Sequence, residues 1–207
     1  FARDARKEPG RPLAPAQDRA TLRVLQATFS PLGVRALAAD AHVFVNFTRS
    51  FLVGDLPVPD EPDRLVIEVV ESVRADAAVV AGVRRLREHG FRIALDDFVG
   101  LSSQVALLPY ADYVKVDRRD LALRGRPLVD LARSEGGRLV AERIETPAQR
   151  DWCEDLGFDL FQGFGLERTH VLNRTPVPTA RVGRPTATEL ADARPREAAD
   201  VEQVASA

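Results

Sequence analysis

The chain has 207 residues, enough for one domain with its own core or one domain and a tail. Its 29 Lys and Arg against 31 Asp and Glu leave a formal net charge of -2, which argues against a general nucleic-acid groove or a basic membrane surface. A single cysteine, Cys153, excludes an internal disulfide, and no stretch approaches the ~20 apolar residues of a membrane span, so the expected compartment is cytoplasmic.

Residues 1–18 are polar, carry Pro9, Pro12 and Pro15, and read as a loop. From Arg19 to Leu37 apolar residues recur at helical spacing, with Pro31 and Gly33 breaking the pattern. Short apolar runs then follow at His42–Asn46, Leu65–Val70, Arg92–Asp96, Tyr113–Asp117, Arg138–Glu142 and Phe158–Gln162. Continuous runs of this kind fit strands buried on both faces, as in a parallel sheet. Helical patterns fill the gaps at Ala77–His89, Ser102–Leu108, Arg126–Glu135 and Pro147–Leu156, the last with Thr146 as N-cap and Pro147 at the first helical position. Alternation of this sort implies βαβ units, in an open doubly wound sheet or a closed barrel. No glycine-rich phosphate loop follows the first strand, which weakens a dinucleotide-binding reading. From Thr175 the chain has no aromatic residue and is rich in Ala, Pro and Arg, so residues 173–207 are expected to be a linker or the start of a following domain, with a short helix at Glu197–Ala207.

Polar residues close each strand: Asn46, Glu68, Asp96 with Asp97, Lys115 with Asp117, Glu142 and Gln162. Barrel enzymes place chemistry on that rim. A single acidic strand end is usually a helix N-cap, but successive ones gather carboxylates at a density that cations must neutralise. The donors are all oxygens, which suits hard ions such as Mg2+, Mn2+ or Ca2+. The adjacent pair Asp96-Asp97 can serve two ions ~3.5–4 Å apart, an arrangement suited to in-line displacement at phosphorus. Of the 29 basic residues only Lys7 and Lys115 are lysine. A compact ammonium at Lys115 can hold an attacking water or a phosphate oxygen where arginine's planar fork fits poorly; the alternative is a structural salt bridge with Asp117 or Glu142.

Six segments carry a resemblance: Val45-Asn46-Phe47-Thr48, Val66-Ile67-Glu68-Val69-Val70-Glu71, Ala94-Leu95-Asp96-Asp97-Phe98, Tyr113-Val114-Lys115-Val116-Asp117, Val140-Ala141-Glu142-Arg143-Ile144-Glu145-Thr146 and Asp159-Leu160-Phe161-Gln162-Gly163-Phe164. In order and rough spacing they resemble the EAL domains that hydrolyse cyclic-di-GMP in bacterial signal transduction. The resemblance implies an α/β fold, a TIM-like (β/α) barrel, over residues 1–172. It implies hydrolysis of cyclic-di-GMP to linear pGpG with two divalent cations, Mg2+ or Mn2+. Carried over, Asn46, Glu68, Asp96 and Asp97 hold metal. Lys115 orients water, Glu142 acts on that water, and Gln162 completes the pocket. Glu71 anchors the loop after the aspartate pair, and Asp117 and Glu145 support the site from outside.

The departures are specific. The family's signature glutamate lies on the first barrel strand, which is expected to fall before Phe1, so the chain is read as a piece of a longer protein whose isolated form is inactive. The loop reads Asp96-Asp97-Phe98-Val99-Gly100-Leu101-Ser102-Ser103, one residue shorter than the family's pattern and without its Gly-Thr-Gly turn. Arg143 replaces the usual glycine. These features resemble the subgroup in which an EAL domain precedes an HDOD domain. The alternative function is therefore a catalytically degenerate module that binds cyclic-di-GMP or a protein partner and regulates an adjoining HDOD-like domain. The partners expected are cyclic-di-GMP, a second copy in a homodimer, and an HDOD-like domain in the same parent chain, with no nucleic-acid polymer and no membrane.

Overall fold

The computed structural model describes residues 14–29, 41–166 and the pair Ala205–Ser206. Along the chain run α1 (Ala14–Thr28), β1 (Val43–Phe47), α2 (Arg49–Leu52), β2 (Leu65–Val69), α3 (Ala77–Glu88), β3 (Arg92–Leu95), α4 (Ser102–Val105) and a 3-10 turn at Leu108–Tyr110. There follow β4 (Tyr113–Asp117), α5 (Arg118–Arg124), α6 (Arg126–Arg133), β5 (Arg138–Glu142), α7 (Pro147–Asp155), β6 (Leu160–Phe161) and β7 (Ala205–Ser206). Every strand pairing is parallel, and the sheet order is β6-β5-β4-β3-β2-β1-β7. From β1 to β6 the order in space is the order in sequence. A doubly wound sheet reverses its order at a switch point, whereas a barrel wall does not. The open choice between the two is thus settled for the barrel.

Side chains alternate between the faces of a strand, so each strand contributes to two cores. On one face Phe44, Val66, Ala94, Tyr113, Val140 and Leu160 pack as a small separate cluster, the barrel interior. On the other, Val45, Phe47, Ile67, Ile93, Val114, Val116 and Leu139 join the larger core under the helices, with Val79, Val83, Leu121 and Cys153. Cys153 is fully buried, as a small core residue, and burial pushes its thiol up to about 11.

Local chemistry sets the helix positions. Asp76 caps α3 by accepting a hydrogen bond from Val79 N at 2.9 Å. Gly82 brings α3 against the end of α2: a Cβ there would lie 1.9 Å from the Leu52 carbonyl oxygen. Thr146 and Gln149 form a capping box at α7, with Pro147 at its start.

The expected strands and the later helices are present, Tyr113–Asp117 and Arg138–Glu142 with the expected bounds and the others with shifted ends. Four readings change. The first helix begins at Ala14, inside the stretch read as loop, and ends at Thr28; α2 and α5 were not signalled by periodicity, being only four and seven residues long. The helix expected at Glu197–Ala207 falls largely outside the described residues, and its Ala205–Ser206 is extended and pairs with Val43 and Phe44. The last expected strand shortens to Leu160–Phe161. Most of the expected linker, residues 173–204, also lies outside the described residues.

Candidate active site

One spacing builds the site. Two residues after each member of the interior cluster, on the same face, stands a polar residue: Phe44 then Asn46, Val66 then Glu68, Ala94 then Asp96, Tyr113 then Lys115, Val140 then Glu142, Leu160 then Gln162. The apolar layer closes the interior below, and the polar layer forms the C-terminal rim. The register is staggered, with Glu68 opposite Ala94 and Ala94 opposite Tyr113, so Asp96 and Lys115 stand one step nearer the rim than Glu68.

Lys115 is the centre. Its side chain is 3 % exposed, and Nζ lies against Glu68 Oε1, 2.8 Å from Glu142 Oε1 and 3.3 Å from Asp96 Oδ1. Three strands, β2 and β3 on one side of β4 and β5 on the other, thus converge on one ammonium. Burial works against that charge, but Glu68, Glu142 and Asp96 outweigh it, and the Lys115 pKa is raised. Burial also pushes the Glu68 and Glu142 carboxyls above the ordinary range, against the pull of Lys115. The ammonium stays charged and the two glutamates hold protons more readily than free carboxylates do.

The aspartate pair makes a second cluster that shares Asp96. Carboxylate oxygens of Glu71, Asp96 and Asp97 lie within 4.8 Å of one another, a spacing that one cation can span. Asp97 leaves the strand direction through a left-handed backbone, φ 44. Its carboxylate therefore does not follow the alternation that sends Asp96 inward.

The expected site residues are brought together unequally. Glu68, Asp96, Lys115 and Glu142 meet directly. Asp97 joins them through Asp96, and Glu71, read as a loop anchor, comes within reach of the pair itself. Asn46 is the register partner of Glu68 and is exposed, its carbonyl oxygen accepting from Thr21 Oγ1 at 2.8 Å. Gln162 has a buried Oε1 with no hydrogen-bond partner among the described residues. Asp117 caps α5 by accepting from Arg119 N at 2.8 Å and takes Arg143 Nε at 2.6 Å. Glu145 is exposed, its backbone packed under Gly165.

Two residues matter more than their sequence context indicated. Arg143 was visible only as a substitution; its backbone is left-handed, φ 59, which explains why glycine suits the position. Gln104 was not singled out. It is 6 % exposed in α4, just after the loop that follows the aspartate pair, and its one signal is a polar side chain following Ser102-Ser103 in the first turn of that helix.

The oxygen donors, the carboxylate density around Asp96 and the orphaned Gln162 Oε1 fit divalent cations, the groups this rim is suited to hold. A parallel β/α-barrel wall with its polar residues on the C-terminal rim is the architecture of a barrel enzyme class. Within that class the EAL domain profile matches residues 34–169, and the chain belongs to the EAL family. It is 30% identical over 172 residues to the cyclic di-GMP phosphodiesterase CdgJ of Vibrio cholerae, covering 80% of this chain and 39% of that protein. The chain therefore spans about two fifths of that relative's length. The EAL domain of Mycobacterium smegmatis DcpA superposes with TM-score 0.57 at 26% identity, covering 76% of this chain and 80% of that one. Bacillus subtilis YkuI, with an EAL domain and solved with c-di-GMP and calcium, shares the fold at TM-score 0.58 and 23% identity over 81% of this chain and 47% of that one. No helix among the described residues is long and apolar enough to cross a membrane.

Proposed function

We propose that this site hydrolyses cyclic-di-GMP to linear pGpG with two divalent cations, Mg2+ or Mn2+. Family membership supports the reaction class, and the relative CdgJ carries that activity in its name. The observation that carries the reading is Lys115, an ammonium buried among Glu68, Asp96 and Glu142 from three other strands. Asp96, Asp97 and Glu71, whose oxygens lie within 4.8 Å of one another, would hold one ion, and Asn46, Glu68 and Asp96 would hold the other. The cations supply charge neutralisation at phosphorus and a more acidic water.

The protein's own groups do the rest. Glu142, whose carboxyl burial makes more basic than an ordinary glutamate, accepts the proton of the attacking water. Lys115 holds that water or a phosphoryl oxygen and keeps charge on the rim balanced as the P–O bond breaks. Gln162 Oε1, buried at the rim, would accept a hydrogen bond from water or serve as an oxygen donor to an ion. Turnover of cyclic-di-GMP by the full-length protein with Mn2+, lost in Lys115→Ala, tests the reading; turnover that survives the substitution overturns it.

A second reading has its own observation. Arg143 occupies Asp117, the carboxylate above Lys115, with a fixed cation. Tight binding of cyclic-di-GMP without turnover would make the domain a ligand-responsive module, regulating an adjoining HDOD-like domain or a partner protein.

A further inference from the structure

We propose that Gln104 is a positioning residue that holds the Asp96-Asp97 turn in the shape a cation needs. The inference rests on the metal-dependent reading of the site.

Gln104 lies one loop beyond the carboxylates and touches none of them. Its Oε1 accepts from Val99 N at 2.9 Å and from Leu101 N at 3.2 Å. Its Nε2 donates to the Asp97 carbonyl at 2.9 Å and more weakly to the Asp96 carbonyl at 3.5 Å. A primary amide has one acceptor oxygen with two lone pairs and two N–H donors, so this side chain is used on every side. The partners are two backbone N–H groups and two backbone carbonyls, which fixes the amide's orientation.

The loop needs such a clamp. Phe98 is fully buried and Gly100 passes close to Leu131, where a Cβ would lie 2.9 Å from a side-chain carbon. Phe98 N still donates to the Lys115 carbonyl of β4 at 2.9 Å, but the next N–H, that of Val99, is taken by the Gln104 side chain. Asp97 sits at φ 44, a region aspartate tolerates but does not prefer. Its carbonyl direction and its Cα–Cβ direction are set by the same dihedrals, so a hydrogen bond that holds the carbonyl also aims the carboxylate. Gln104 does through a side chain what a glycine-rich turn does through the backbone.

Mn2+ titration of the full chain, with amide hydrogen exchange and thermal melting on the same samples, tests this. In Gln104→Leu, exchange at Val99 and Leu101 should accelerate tenfold or more while β3 and β4 keep their protection, and Mn2+ affinity should fall about tenfold. Should the leucine variant not fold, Gln104→Glu supplies the comparison. It keeps the volume and both acceptor bonds but loses the donors to Asp96 and Asp97, and the same loss of affinity is expected. Unchanged Mn2+ affinity in a folded variant overturns the proposal. Absence of Mn2+ binding by the unsubstituted protein overturns the metal reading and this proposal with it, a failure recognised because it appears before any substitution is made.

Discussion

Arg143 Nε lies 2.6 Å from Asp117 Oδ2, reaching it from a left-handed backbone at φ 59. The pair joins the residue after Glu142 to the residue at the end of β4, so a fixed positive charge stands on the rim beside the carboxylates. A left-handed arginine costs about 1–2 kcal/mol, and here its half-exposed guanidinium pairs with a buried carboxylate. The strain and the pair oppose each other, and the residue sets a fixed positive charge beside Asp117.

Replacing Arg143 by glycine removes both the strain and the cation. Global stability should move by no more than about 1 kcal/mol, because the two terms oppose each other. Asp117 is released to the rim, and Mn2+ should bind more tightly. Chemical denaturation and Mn2+ titration read the two effects separately.

Lys115→Met leaves Glu68 and Glu142 buried without their cation. At neutral pH this should cost about 3–5 kcal/mol. Both carboxyls are already raised in the folded protein, and loss of Lys115 raises them further. Between the unfolded value near 4.5 and the raised folded value, the folded state binds more protons than the unfolded one, so stability grows as pH falls. The variant should therefore recover part of its loss between pH 8 and pH 5, measured by denaturation at each pH. Lys115 itself, with its pKa raised, contributes stability below about pH 10.5 that is lost as pH climbs through its folded value.

Gly163 and Gly165 let the segment after β6 lie on the segment after β5. Ile144 N donates to the Gln162 carbonyl at 3.0 Å, and Gly165 N donates to the Ile144 carbonyl at 2.9 Å. A Cβ on Gly163 would lie 2.1 Å from the Ile144 oxygen. Gly163→Ala should push Gln162 off the rim, costing about 1–3 kcal/mol and most of the turnover. Thermal melting and the hydrolysis assay give the two values.

Mn2+ should raise the melting temperature, since it binds the folded rim and has no site in the unfolded chain. At a hundredfold excess over its Kd the gain is about 2.7 kcal/mol. Asp97→Asn and Glu71→Gln should each reduce that shift, because their oxygens lie within 4.8 Å of each other and of Asp96. A melting curve with and without Mn2+ for each variant checks this.

The strands were legible because apolar runs such as Leu65–Val69 and Tyr113–Asp117 are buried on both faces, and the site because its residues fall at their ends. Thr146-Pro147 announced α7 through capping chemistry. What stayed hidden depends on distance in sequence. That Lys115 binds Glu68 follows from the stagger of three strands, which no local pattern records. The Asp97 carbonyl is bonded by a side chain seven residues on, and a lone glutamine in a four-residue helix has no distinguishing signature. Short helices such as α2 are too brief to show periodicity.

The two-residue step between the interior cluster and the rim also limits how this barrel can change over time. Inserting or deleting one residue within a strand would turn every later side chain to the opposite face, carrying a rim donor out to the helices and an aliphatic residue into its place. Length variation is thereby confined to the connections, such as the stretch between Asp97 and Ser102. Strand ends can drift only by substitution, one position at a time, while the loops remain free to lose or gain whole residues.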